Sequence, residues 1–296
     1  MSRVLNMEDA AGKAALQGTI VHQVFEWMGK LKRKNKTHID PEWLLERSWD
    51  MHTAKNPHIE IRRTTSKGEA ADFRKCRESV EVILNDDTYN PYKMENIIDS
   101  ERWFSVEFPG EEWETHEGEQ FRTRGFIDLV RELDKETIEI IDWKTGKRLD
   151  FYTRQPIDVL QLMREIQPRL YHLASCMIYS EYKNIVITFY YTSDGGPVTI
   201  SLSLEDIPHT IAAIWAFFKR VEKDTLFRRN RSWKCRMCAY NKNDICTKVW
   251  SDLHTLGSEF VEQKYVDMTV EQQRADQLPD LMSKETKDVA LEVYSM

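Results

Sequence analysis

Two apolar segments flanking a short polar turn, GFIDLV and TIEIIDWKT around Leu133-Asp134-Lys135-Glu136, constrain this chain more than any other part of it. Both are rich in β-branched and aromatic residues, the composition of strands, and a turn this short implies an antiparallel pair. A ladder centred near residue 135 sets Asp128 directly opposite Asp142. Residues opposed in such a ladder have Cα atoms about 4.5 to 5.5 Å apart, close enough for two carboxylates to hold one divalent ion. Lys144 shares their face by the strand period of two, while Ile127, Leu129, Ile141 and Trp143 are expected to pack on the other side.

That constellation has a specific chemistry. Two carboxylates so close repel each other unless a cation or a proton lies between them. A divalent cation lowers the pKa of water and acts as a Lewis acid on a phosphoryl oxygen. A lysine beside it can orient the attacking water or neutralise charge that develops on a phosphate. Together these meet the requirements of phosphodiester hydrolysis.

The order of the remaining pieces extends the pattern. Gly18 to about Arg33 reads as a buried helix whose narrow polar strip carries His22 and Glu26. Residues 34 to 96 read as a polar helical insertion, with helical spacing from Phe73 to Leu84. WFSVEF forms a strand before the hairpin, helices follow it, and a second hairpin turns at Ser193-Asp194-Gly195-Gly196. Ile207, Ile211, Trp215, Phe218 and Val221 then mark a closing helix.

In that order, GTIVHQVFE, GFIDLV, IIDWKTGK and QPRLY resemble the motifs of the PD-(D/E)XK nuclease superfamily, specifically its RecB-type branch, across roughly residues 18 to 250. The resemblance implies an α/β restriction-endonuclease-like core, a central mixed β-sheet flanked by helices with helical elaborations. It implies that His22, Asp128, Asp142 and the backbone carbonyl of Trp143 bind the metal, Mg²⁺ or Mn²⁺, while Lys144 assists the nucleophile. Gln167 and Tyr171 match its Gln-x-x-x-Tyr motif, which supports the site, and Glu107 resembles an acidic residue often seen on the strand before the core. Residues four apart on a helix share a face, so His22 with Glu26 and Gln167 with Tyr171 can each address one site. The implied activity is that of a metal-dependent DNA nuclease, an exonuclease on single-stranded DNA or duplex ends more than a sequence-specific endonuclease. The chain carries no helicase motif, so unwinding would fall to a helicase or recombination partner. A DNA-binding or adaptor protein that retains the fold without turnover is the alternative from another class, although an intact Asp, Asp and Lys set argues against it. An RNA-directed hydrolase is a second alternative.

Cysteine usage points to a second metal site. Cys235, Cys238 and Cys246 crowd into one segment of a chain with five cysteines, which suits metal binding better than a disulfide framework. The trio resembles that of RecB-type relatives carrying a 4Fe-4S cluster, such as the CRISPR-adaptation and AddB-like nucleases, but here no cysteine precedes His22 to complete it. Cys76 can serve as fourth ligand only if its segment folds back. A structural Zn²⁺ with His254 as fourth ligand is the competing reading. Cys176, in an apolar helix, is expected in the core.

The stretch from Lys219 to Arg236 is the most basic of the chain, and within it Arg228, Arg229, Arg231 and Trp233 combine phosphate-binding charge with a stacking ring. A net charge of −7 argues against a protein that coats nucleic acid nonspecifically, but not against a locally basic groove. No stretch approaches the roughly 18 apolar residues of a membrane span, and the N-terminus lacks the pattern of a secretory signal. The expectation is an intracellular protein, in the cytoplasm or in the host cytoplasm if phage-encoded. Residues 1–254, including the Cys-rich segment 233–254, are expected to form the nuclease domain, with 255–296 as a tail or peripheral helices.

Overall fold

The computed structural model describes residues 12–115, 118–150, 155–223, 245–257 and 260. The chain divides into two compact units, Ala11–Arg220 and a second that joins Met1–Ala10 to Val221–Met296. The described part of the second unit is the C-terminal end of one helix, the helix α7, Ile245–Leu256, and the two residues beyond it. Among the described residues no helix is long and apolar enough to cross a membrane.

The larger unit is built around a mixed five-stranded sheet flanked by helices, as the family resemblance implies. Its strands are β3 (Ile97–Glu107), β4 (Arg122–Asp134), β5 (Thr137–Lys144), β6 (Asn184–Tyr191) and β7 (Gly196–Ser203), and they lie side by side in chain order. All neighbours are antiparallel except β5 and β6, which run parallel because helices α4 (Val159–Arg164) and α5 (Ile166–Ile178) carry the chain back between them. A small hairpin, β1 (Thr64–Thr65) and β2 (Gly68–Glu69), stands apart from this sheet.

One face of the sheet is covered by α1 (Lys13–Arg33), α2 (Pro41–Lys55) and α3 (Ala71–Leu84). Ile20, Val24, Phe25 and Met28 of α1 pack with Leu45, Phe73 and Ile83 against Leu129, Ile141 and Trp143. Helix α1 begins five residues before the expected Gly18. Gly29 brings it down onto the sheet: a Cβ there would lie 2.8 Å from Ser100 Oγ, and that hydroxyl donates to the Glu26 carbonyl at 3.0 Å. The other face is covered by α5 and α6 (Ile207–Glu222), which pack on Ile138, Ile140, Ile187 and Phe189.

Helix α6 buries Thr210, Ile214 and Phe218, with Trp215 partly covered, while Ile211 and Val221 of the expected apolar stripe stay exposed. Its apolar face is wider than the buried one, so spacing alone selects too many residues. Cys176 is buried in this layer, as expected.

Candidate active site

The observed β4–β5 register pairs Val130 with Ile140 and Leu129 with Ile141 and ends there, with Asp128 and Asp142 the next residues of the two strands. The turn is tight because the Asp134 carboxylate accepts the Glu136 amide at 2.8 Å. Asp128 Oδ2 also accepts the Trp143 amide at 2.8 Å, which ties the carboxylate to the backbone between Asp142 and Lys144.

One part of the expected facing is corrected. Ile127 packs with Val130 and Ile140, on the opposite side of the sheet from Leu129, Ile141 and Trp143. Strict alternation therefore slips around Asp128. The irregularity is shared with the neighbouring strand, where Glu101 adopts φ 56°, the left-handed region that a non-glycine residue rarely occupies. The β3–β4 ladder runs from Ser100 with Leu129 to Arg102 with Ile127, and Glu101 and Asp128 lie between these two pairs. Both line one cleft with His22, Gln23 and Glu26 of α1.

Asp142 is buried and held from three directions. Tyr171 donates its hydroxyl to Oδ1 at 2.7 Å, Gln167 donates its amide to the same oxygen at 2.9 Å, and Lys144 Nζ lies 2.7 Å from Oδ2. Gln167 also accepts from Lys144 at 3.1 Å, so the i, i+4 pair on α5 orients both the acid and the base of the strand. Burial, and next the charge of Asp128, raise the Asp142 pKa from its ordinary value, with Lys144 acting in the opposite direction. The Tyr171 hydroxyl is raised far above its ordinary value, chiefly by burial and then by Asp142, and remains a donor.

His22 Nδ1 sits 3.2 Å from Asp128 Oδ2. Burial acts to lower the imidazole pKa, but the bond to Asp128 and the charges of Asp128 and Asp142 outweigh it, so the net shift is upward. Glu26 lines the same cleft and is tied to Gln23 at 2.5 Å and to Lys30.

Glu107 does not reach the site. It pairs with Arg122 at the far end of the ribbon, both in the strand register and through an ion pair, and its side chain is exposed. The acid that β3 brings to the cleft is Glu101, which sequence reasoning missed because it began the strand at Trp103. The Asp-Ser-Glu-Arg run before that tryptophan carries little strand propensity, and its polar character was the only available signal.

Glu101 is half-buried, and burial, followed by the charges of Asp128 and Glu26, raises its pKa from the usual 4.5 to about 7. A raised carboxylate favours the folded state while protonated and loses that advantage as pH rises from 4.5 to about 7. In EDTA, Glu101→Gln is therefore expected to be more stable than wild type at pH 8 by about 1 kcal/mol, discounted for solvent screening, and no more stable at pH 4.5. Urea melts at the two pH values check this, and an equal gain at both would contradict it.

The donor set fits a hard divalent cation. Asp142 Oδ2 is buried and accepts no well-directed hydrogen bond despite its contact with Lys144, and Asp128 and His22 offer an oxygen and an imidazole nitrogen nearby. Among the described residues no three His, Cys, Asp or Glu side chains are already gathered into a closed metal cage. The cleft beside them measures about 410 Å³ and is open to solvent along the small residues Ala15, Gly18 and Thr19 of α1.

Of the other expected site residues, Cys235, Cys238, Arg228, Arg229, Arg231 and Trp233 lie outside the described residues, and so does the side chain of Cys246 at the start of α7. His254 is on α7 and exposed. Cys76 is buried between α3 and α1, its thiol pushed up to about 12 by burial, an environment that keeps it protonated. Lys219, at the start of the basic stretch, lies 4.3 Å from the Trp215 ring and donates to the Glu112 carbonyl at 3.1 Å, which makes it part of the packing.

Comparison with known proteins agrees with the geometry at the level of the family. The family model of the PD-(D/E)XK nuclease superfamily matches residues 1–247. A solved structure from Eubacterium rectale, described as a "Putative exonuclease", is similar at 16% identity and a TM-score of 0.46, over 80% of this chain and 76% of that one. No curated protein matches.

Proposed function

The chain belongs to the PD-(D/E)XK nuclease superfamily, and on that premise we propose that it is a metal-dependent deoxyribonuclease of the RecB type, acting as an exonuclease on single-stranded DNA or duplex ends. The observation that carries the reading is Asp142. It follows the last β4–β5 pair as Asp128 does, is in contact with Lys144, and is held by hydrogen bonds from Gln167 and Tyr171. A site for phosphodiester hydrolysis needs this combination of fixed carboxylates and an adjacent cation, and a purely structural ion pair does not need the supporting amide and phenol. The sequence order of His22, Asp128, Asp142, Lys144, Gln167 and Tyr171 supports the RecB-type assignment within the superfamily.

Asp128, Asp142, His22 and the carbonyl of Trp143 would hold Mg²⁺ or Mn²⁺, which supplies Lewis acidity toward the phosphoryl group and makes water a better nucleophile. Lys144 orients the attacking water or neutralises charge that develops on the phosphate. Gln167 and Tyr171 fix the Asp142 carboxylate and Lys144 relative to each other. Glu101 and Glu26 add negative charge to the cleft on the α1 side, which strengthens attraction for a cation. The basic stretch with Arg228, Arg229, Arg231 and Trp233 belongs to the DNA path in this reading. The Cys235, Cys238 and Cys246 trio holds a 4Fe-4S cluster or Zn²⁺, with residues 1–254 forming the nuclease domain. A helicase or recombination partner supplies unwinding.

The test is digestion of end-labelled single-stranded, duplex and circular DNA, and of RNA, with Mg²⁺, Mn²⁺ or EDTA. Metal-dependent release of short products from linear DNA is expected, with circles resistant. Cleavage in EDTA, or of RNA alone, contradicts the proposal.

A further inference from the structure

The ribbon formed by β3 and the first half of β4 extends past the rest of the sheet. The β4–β5 ladder begins only at Leu129, so residues 122–127 of β4 pair with β3 alone. One face of this ribbon is covered: Phe104, Val106 and Ile127 are buried in the core with Phe108 and Trp113. The other face leaves the catalytic cleft as a short path. It starts at Glu101 and Asp128, continues with Trp103 directly opposite Phe126, and then with Ser105 opposite Arg124.

Trp103 and Phe126 are 52% and 49% exposed. Among the described residues no other strand-paired aromatic residues are both left so open. Burying either ring would stabilise the protein, and an exposed aromatic pair beside a functional cleft marks an interaction surface. Same-face positions two residues apart on a strand are separated by about 7 Å, so the rings stand one step from the Asp128 level. Arg124 is exposed, and no carboxylate pairs with it among the described residues. Arg122, one pair further, is already engaged by Glu107.

We propose that Trp103 and Phe126 form a stacking platform for unpaired nucleobases next to the scissile phosphate, with Arg124 contacting the phosphate beyond. The proposal rests on the nuclease reading above. Flat rings favour nucleobases because every base presents a π-face, and only a strand whose bases are free of a duplex can use them. A free guanidinium in line with two rings is the pattern of a groove that follows a single strand, whereas a protein-docking patch of this size would have no need of charge at that position. The platform gives a physical basis for preferring single-stranded ends, independent of the basic stretch after Lys219.

The test uses the full chain with Ca²⁺ in place of a supporting cation, so that binding is read without turnover. A labelled oligo(dT) strand and a blunt duplex are titrated, and a strand carrying 2-aminopurine reports stacking by fluorescence quenching. Trp103→Ala combined with Phe126→Ala is expected to weaken single-strand binding by at least about tenfold and to abolish the quenching. Trp103→Phe is expected to retain most affinity, and Trp103→Leu, which keeps apolar area without the π-face, to lose it. Because the side chains are exposed, circular dichroism melts are expected to match wild type. Unchanged single-strand affinity in the double variant overturns the platform, and loss of a dimer by that variant in sedimentation would assign the patch to a second copy of the chain instead. Wild-type DNA cleavage with an inert platform leaves the nuclease reading standing. Stacking and binding by a wild-type protein that cuts nothing would remove the nuclease reading alone.

Discussion

Replacing Asp142 with alanine is expected to lower DNA cleavage by about a thousandfold or more while the protein keeps its fold. The carboxylate is in contact with Lys144, Gln167 and Tyr171 together, so its removal takes away the proposed cation ligand and the fixed partner of the lysine in a single change. Its effect on stability is a balance. Burial and the charge of Asp128 disfavour the ionised form, and that disadvantage disappears. In exchange the buried Tyr171 hydroxyl loses its acceptor, which costs about 1 to 3 kcal/mol for a buried donor left unsatisfied, while the Gln167 amide keeps the Tyr171 oxygen as an acceptor. Lys144→Ala is expected to reduce cleavage comparably, by about a hundredfold to a thousandfold, with a smaller structural effect because its ammonium is partly exposed. Single-turnover rates on end-labelled single-stranded DNA, alongside thermal melts, provide the check. A rate within tenfold of wild type for Asp142→Ala would remove that residue from the mechanism.

The largest expected effect on stability is at the residue between those two. Trp143→Ala is expected to destabilise the protein by about 3 to 5 kcal/mol, the range for deleting a large buried aromatic side chain. Trp143 is 1% exposed, and its ring meets Phe25 of α1 at 4.9 Å and Tyr190 of β6 at 6.0 Å between centroids. The strand period places Asp142 and Lys144 on one side of β5 and this indole on the other. The same ring therefore anchors α1, the helix that carries His22, to the sheet. Activity is expected to fall with stability, because that packing holds the helix carrying His22 against the sheet strands that carry Asp128 and Asp142. Trp143→Phe, which keeps a ring in place, is expected to lose a smaller part of both. Urea unfolding measures the first quantity, and a loss under 1 kcal/mol for the alanine variant would show that α1 is held by other contacts.

Much of the site was legible because its signals are short-range. That Asp128 and Asp142 come together at the end of one ladder follows from a tight turn, and Gln167 with Tyr171 follows from helical i, i+4 geometry. His22 and Glu26 needed only the same helical rule to be placed on one face. Glu107 was misplaced for the complementary reason. Motif resemblance located an acid on the right strand, but which acid meets Asp128 depends on the β3–β4 register and on the left-handed backbone at Glu101, and neither is written in local propensity. The reversed facing of Ile127 has the same origin.

By itself, then, the sequence determined the hairpin that carries Asp128 and Asp142, the helices on which Gln167, Tyr171 and His22 lie, and the second hairpin. Those features rest on backbone hydrogen bonding and side-chain periods that a few consecutive residues specify. The tertiary structure alone decided that His22 reaches Asp128, that Glu101 and not Glu107 enters the cleft, and that Trp103 and Phe126 remain open beside it. Each of these depends on how α1 and the β3–β4 ribbon pack, where burial of distant apolar faces sets the register and overrides what neighbouring residues prefer.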